Sequence, residues 1–272
     1  MALIAPKYLD SVVAIGKDDG NGGVHWMGTG FLFGFRLPGH NYEENVYSIF
    51  LVSNRHVLQG QDYVYLRFNP QGGQPAQNHR LDIIVSGMNL YKRHPNIKDV
   101  DVAVVSIPQP YIDTLINNGV RPEFITYDKE SFLINDLQSL GVTEGDSVFV
   151  LGYPMGLVGN TRQYVILRGG VISRIHDMLE GYSTDYIVDA PVFPGNSGGP
   201  VIIKPELVKM TGTQSQKESR LIGLVKGYIT YTDVAISPQT KRQRVAFEEN
   251  TGLTNVEPVD RIIETILHGV AP

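Results

Sequence analysis

Gly195-Asn196-Ser197-Gly198-Gly199-Pro200-Val201-Ile202-Ile203 is the stretch whose reading decides the architecture of this chain. A serine flanked by glycines lets the backbone bend sharply and bring successive N–H groups to bear on one point, as stabilising a developing oxyanion requires. The letters fit two folds. The nucleophile elbow of an α/β-hydrolase enters a helix directly after its serine, whereas other serine loops enter a strand. Pro200 followed by the β-branched Val201, Ile202 and Ile203 is a strand start, not a helix start. A tight turn with no chemistry would look the same locally, so the partners available to Ser197 carry the rest of the reading.

A serine hydroxyl is a poor nucleophile and needs a base from elsewhere in the chain. Of seven histidines, His56 has the best context. It lies in Leu51-Val52-Ser53-Asn54-Arg55-His56-Val57-Leu58, where an apolar run passes into a short helical turn. A hydrogen-bonded core histidine would fit there too. Asp101 opens the run Asp101-Val102-Ala103-Val104-Val105, and a carboxylate leading such a run is costly to bury without a partner. Asp99 competes for the same role, although its loop position suits an exposed acid. The α/β-hydrolase order of serine, acid, histidine finds only His268 after Ser197, inside the expected terminal helix.

Outward from these residues the chain is a series of short β-type runs punctuated by 29 glycines and 16 prolines. They are Ser11–Ile15, Gly30–Phe35, Val46–Val52, Tyr63–Phe68, Asp101–Ile107, Ser147–Leu151, Tyr164–Ile172, Tyr186–Val188, Pro200–Ile203 and Leu221–Ile229. Many short strands with turn signals between them predict an all-β sandwich or barrel. Asp18-Asp19-Gly20-Asn21-Gly22-Gly23 reads as a hairpin turn, since a calcium loop would need alternating acids and a closing glutamate. Asn69–Arg80 and Pro205–Arg220 read as surface loops, and Tyr231–Glu248 as a long hairpin with Ser237-Pro238-Gln239 near its tip. Pro258 suits a first helical position, and Val259, Ile262, Ile263, Ile266 and Leu267 form a one-sided stripe, so a docked helix is expected over 257–268. No repeat and no Gly/Ser-rich linker divides residues 1–272.

Composition removes other classes. The 272 residues carry 23 basic and 28 acidic side chains, a net charge of −5, which argues against a nucleic-acid partner. No run approaches the length of a membrane-spanning helix. Zero cysteines remove disulfides, thiolate metal sites and a cysteine nucleophile together. A cytoplasmic location fits these features and the absence of a signal-like N-terminus; a mature secreted form would read the same.

Taken jointly, the order His56, Asp101, Ser197 resembles that of trypsin-like serine proteases. The strings SNRHVL, DVDVAVV, GDSVFVLGYPMG (145–156), LRGGVISRI (167–175), GNSGGP and LIGLVKG (221–227) are most similar to the HtrA branch. The resemblance runs from about Gly28 to Gly227. It implies two antiparallel six-stranded β-barrels, over about 8–115 and 140–256, followed by the C-terminal helix, in one protease domain. It implies that Ser197 attacks the scissile carbonyl, that His56 acts as base then acid, and that Asp101 orients His56. The oxyanion hole is expected from Gly195, Asn196 and Ser197, and the specificity pocket from Pro191, Val192, Phe193, Val225, Lys226 and Gly227. A protein or peptide substrate is implied, with no cofactor and no metal; oligomeric state is not implied.

Departures from the pattern carry their own expectations. Asn196 stands where digestive relatives have the aspartate that binds a newly cut N-terminus, so no zymogen cleavage is expected. The chain ends soon after its last helix, leaving no room for the peptide-binding PDZ domain common in HtrA relatives. Pro191 stands six residues before Ser197, where enzymes that cut after Lys or Arg carry an aspartate, so cleavage after small or medium apolar residues is expected. Lys226 would repel a basic side chain if it faced inward, and is otherwise expected in solvent; Asp189 is the nearby acid that could reverse the preference. A protease fold with a collapsed oxyanion loop would be a binding module instead of an enzyme.

Overall fold

The computed structural model describes residues 3–39, 46–206 and 217–271. The first half runs α1 (Pro6–Asp10), β1 (Val12–Asp18), β2 (Val24–Phe35), β3 (Ser48–Asn54), α2 (Arg55–Leu58), β4 (Tyr63–Phe68) and β5 (Gln77–Asp82). There follow the small hairpin β6 (Ile84–Val85) and β7 (Met88–Asn89), then β8 (Tyr91–Arg93), β9 (Val102–Ser106), α3 (Gln109–Asn117) and β10 (Ile125–Thr126). The second half contains α4 (Ile134–Ser139), β11 (Ser147–Gly152), β12 (Ile166–Arg174), α5 (His176–Leu179), β13 (Tyr186–Asp189) and β14 (Pro200–Ile203). It closes with β15 (Arg220–Ile236), β16 (Gln243–Pro258) and α6 (Val259–His268).

The fold is all-β. Strands β11-β12-β13-β16-β15-β14 close a six-stranded antiparallel barrel. The first sheet is a curled path, β5-β4-β1-β2-β3-β9-β8, with β10 added in parallel to β2. It is hydrogen-bonded as a half-barrel whose edges are β5 and β8, where the resemblance implied a closed ring.

Three apolar cores explain why the strands read as unbroken apolar runs. In β3, Leu51 faces the interior of the first sheet while Phe50 and Val52 face the contact between the two halves. In β11, Val148 and Val150 fill the closed barrel while Phe149 and Leu151 face that same contact. Both faces are therefore buried, and alternation disappears from the sequence. The stripe Val259, Ile262 and Ile266 docks α6 into the shared core.

Several boundaries differ from the sequence reading. Within Asn69–Arg80, expected as a loop, residues from Gln77 pair with β4 as an edge strand in which only Leu81 is buried. Pro258 is the N-cap of α6 and not its first residue. Of the loop expected over Pro205–Arg220, positions 207–216 lie outside the described residues. The long hairpin is present as β15 and β16, and the turn at 19–23 is held by Asp19 Oδ1, which accepts from the N–H groups of Asn21 and Gly23.

Candidate active site

His56 and Asp101 meet because β3 and β9 are antiparallel neighbours in which Asn54 stands opposite Val102. This register sets the first turn of α2 beside the residue preceding β9. His56 Nδ1 and Asp101 Oδ2 are 2.5 Å apart, and the other carboxylate oxygen accepts from the His56 backbone N–H at 3.2 Å. Arg55 Nε lies 3.4 Å from that second oxygen. The Asp101 carbonyl accepts from Arg55 N and Asn54 Nδ2, so the backbone under the carboxylate is held as well. The imidazole is half exposed and the carboxylate is mostly covered. Asp99, the competing acid, is exposed, and among the described residues its side chain bonds only Asn96.

Ser197 comes from the other half, in the loop before β14. Its carbonyl accepts from Thr29 N on β2 at 3.0 Å. A Cβ built on Gly28 would lie 2.9 Å from Val57 of α2 and 3.4 Å from the Ser197 carbonyl, so the serine loop and the histidine helix flank the same glycine. Among the described residues no hydrogen bond joins Ser197 Oγ to the His56 ring; such bonds often tighten only when substrate is bound.

The loop geometry leaves two N–H groups, of Gly195 and Ser197, without acceptors among the described residues. Pro194 O accepts from Met155 N, and in a trans peptide the following N–H points the opposite way, so Gly195 N–H faces away from the 154–156 turn. Asn196 O accepts from Gly199 N, which frees Ser197 N–H in the same manner. Asn196, expected to join the hole, has its backbone N–H engaged by Phe193 O, and its Oδ1 accepts from Phe193 N–H. Gly195 has φ of 97° and a Cβ there would collide with Tyr153 O; Gly198 has φ of 83° and would collide with Ser53 and Thr29 O. Only glycine fits these two positions.

Thr29, which sequence reading did not single out, ties the halves together. It is fully buried, its hydroxyl donates to Gly195 O at 2.6 Å and accepts from Tyr153 N at 3.0 Å, and its carbonyl accepts from Ser53 Oγ. The small hydroxyl in Gly28-Thr29-Gly30 was the one available signal.

The pocket residues divide. Val192 and Val225 are buried in the core of the closed barrel, so only their backbones can border a cleft. Pro191 and Phe193 are exposed, with the Arg168 guanidinium 5.1 Å from the Phe193 ring centre. Gly227 is half-buried. Lys226 corrects both sequence alternatives. It points neither into a pocket nor into open solvent, but reaches beneath Asp101, 2.8 Å from Asp185, 3.2 Å from Glu257 and 2.5 Å from Asp99 O. Burial disfavours its charge, yet the bond to Asp185 and the Glu257 carboxylate outweigh this and raise its pKa. Glu257 is fully buried and accepts from Asp101 N at 2.9 Å. Burial pushes its pKa up, against the pull of Lys226 and that N–H. Glu257, missed by local reading, thus holds the backbone of Asp101, and Lys226, expected at the pocket, pairs with Glu257 and holds the backbone at Asp99. Among the described residues no cluster of His, Asp or Glu could hold a metal, and no helix is long and apolar enough to cross a membrane.

The family model described as "Trypsin-like peptidase domain" matches residues 28–205, which contain His56, Asp101 and Ser197. No curated protein sequence matches the chain. Similar solved structures include the MamO protease domain from Magnetospirillum magneticum in its apo form. It is 12% identical with a TM-score of 0.47, over 94% of this chain and 96% of that one. Another is the HtrA-type protease AlgW with tripeptide, 16% identical with a TM-score of 0.47, over 96% of this chain and 60% of that one.

Proposed function

This chain belongs to the trypsin-like peptidase domain family, and we propose that it is a serine endopeptidase working through His56, Asp101 and Ser197. The observation that carries the reading is the paired His56–Asp101 contact set beside a serine loop whose Gly195 and Ser197 N–H groups are unengaged. Ser197 Oγ attacks the scissile carbonyl carbon while His56 Nε2 takes its proton. Asp101 Oδ2 keeps the remaining ring proton on Nδ1 and stabilises the imidazolium. The tetrahedral oxyanion accepts from Gly195 and Ser197 N–H. Collapse breaks the C–N bond, His56 returns the proton to the leaving amine, and an ester to Ser197 remains. Water deprotonated by His56 then hydrolyses that ester.

A serine-directed phosphonate tests this. We expect one adduct per chain, on Ser197, on a species of untrimmed mass, and none in Ser197→Ala. Absence of both label and peptide cleavage in the folded chain would leave a binding module on a protease fold.

A further inference from the structure

The serine loop and the His56–Asp101 pair come from different halves, so their separation is set by bonds that cross between the halves. Two neighbouring residues of β15 carry such bonds. Val225 N donates to Gly199 O at 2.8 Å and Val225 O accepts from Gly198 N at 2.9 Å, which fixes Val225 to the serine loop. Lys226, the next residue, donates to Asp99 O at 2.5 Å. Its Nζ also lies 3.2 Å from Glu257 Oε1, the oxygen that accepts from Asp101 N at 2.9 Å. Asp185 holds the same ammonium at 2.8 Å. The tripeptide Asp99-Val100-Asp101 is thus gripped at both ends from the second half, and Val100 between them is buried in the shared core.

Stability alone is a poor account of this cluster. Glu257 is fully buried, and its second oxygen, Oε2, has no hydrogen-bond partner among the described residues. A carboxylate covered in this way is costly, and a buried ion pair is often no more stabilising than apolar side chains of the same volume. Lys226 is the one cation paired with Glu257 among the described residues. With it, Glu257 keeps the charge that strengthens its bond to Asp101 N. Without it, burial would drive a proton onto the carboxyl and weaken that bond. Asp99 O would lose its Lys226 donor at the same time.

We infer that Lys226 is a positioning residue for the proposed reaction. With Glu257 it holds the Asp101 backbone at a fixed distance from the serine loop, and through Asp101 Oδ2 it places His56 without touching substrate. The inference rests on the triad reading above. A residue acting on stability alone would lower the melting temperature and leave the chemistry of the folded chain unaltered.

Far-downfield proton NMR of the full chain tests the placement without turnover, because a proton shared between His56 Nδ1 and Asp101 Oδ2 across 2.5 Å is strongly deshielded. Ser197→Ala serves as the background, and loss of the resonance in Asp101→Asn assigns it. Lys226→Met should move this resonance upfield or broaden it away, and Lys226→Arg, which keeps the charge and the donors, should bring it back. With Ser197 intact, Lys226→Met should lower kcat about ten- to a hundredfold, the cost of a misplaced catalytic group. KM should stay within about twofold, since uniform binding is untouched. Lys226→Met/Glu257→Gln keeps an acceptor for Asp101 N without a lone buried charge, and should show the same displaced resonance and slow turnover. Circular dichroism and melting establish that each variant is folded. An unmoved resonance in either folded methionine variant, a change confined to KM, or an arginine variant no better than methionine would overturn the assignment. Absence of the resonance from the Ser197→Ala chain would overturn it too. A chain that neither takes the phosphonate nor cleaves peptide, yet whose resonance responds as expected, would end the endopeptidase reading and leave the placement of Asp101 by Lys226 standing.

Discussion

Replacing Asp101 by asparagine separates an orienting carboxylate from a structural one. One carboxylate oxygen, Oδ2, faces His56 Nδ1 at 2.5 Å; the other faces the His56 backbone N–H at 3.2 Å and Arg55 Nε at 3.4 Å. An amide has only one acceptor end. If its oxygen stays toward the backbone N–H and the guanidinium, its NH2 must face Nδ1, which forces that nitrogen to be an acceptor and moves the ring proton to Nε2. The edge that takes the Ser197 proton in the proposed mechanism is then already protonated. If the amide flips, its NH2 opposes two donors at once, and the backbone N–H cannot move away. The first orientation is the cheaper, so the wrong tautomer dominates. The expected loss in kcat is about 10⁴-fold, or roughly 5 kcal/mol of transition-state stabilisation. The Asp99 side chain bonds Asn96 alone among the described residues, so Asp99→Asn should change the rate less than twofold. Steady-state cleavage of a fluorogenic peptide, with thermal melting to confirm folding, reads both. A loss under tenfold in Asp101→Asn, or a larger loss in Asp99→Asn, would refute the reasoning.

Thr29→Val removes the hydroxyl that holds Gly195 O and Tyr153 N; two buried groups lose their partner, costing about 2 kcal/mol. The melting temperature should fall and kcat drop about tenfold with KM little changed, and Thr29→Ser should restore both; an unaltered kcat in the valine variant would show that this contact does not order the loop. Glu257→Gln keeps an acceptor for Asp101 N but removes the charge facing Lys226. Burial raises the Glu257 pKa above 4.5, so the folded chain holds this proton to higher pH than the unfolded chain, and stability due to Glu257 declines as pH rises from about 4.5 through the raised value. Melting across that range should show this decline in wild type and lose it in the glutamine variant; an identical profile in both would disprove it. A peptide library should yield products ending mainly in Val, Ala or Leu, since Pro191 offers no countercharge and Lys226 is engaged elsewhere; products ending in Lys or Arg would point to Asp189.

What the sequence disclosed and what it hid follow from where each partner lies. Runs such as Ile49–Val52 were legible because alternate residues serve two cores and all must be apolar. The edge strand β5 was hidden because Gln77–Asp82 buries one side chain and takes its conformation from its register against β4. α3 was hidden although Pro110 near its start and the Ile112/Leu115 spacing marked it. His56, Asp101 and Ser197 could each be nominated because each stands near an apolar run that marks a strand, and their order taken jointly carried the reading. Their support could not. Thr29 reaches Gly195 across 166 positions, and Glu257 reaches Asp101 N across 156.

A fully buried glutamate runs against the statistics of its residue type, so no local pattern would nominate Glu257. It enters the site only because β16 carries it past β15, Leu224 opposite Glu257, in the register that also lets Lys226 reach it. The same dependence governs the His56–Asp101 pair of the proposed triad. Asn54 opposite Val102 is what sets His56 beside Asp101. A one-residue slip of β9 would turn Asp101 to the other face of the sheet while leaving both strings, SNRHVL and DVDVAVV, unchanged. Residue identities therefore name the chemistry available to this chain, and strand register decides whether the atoms can meet.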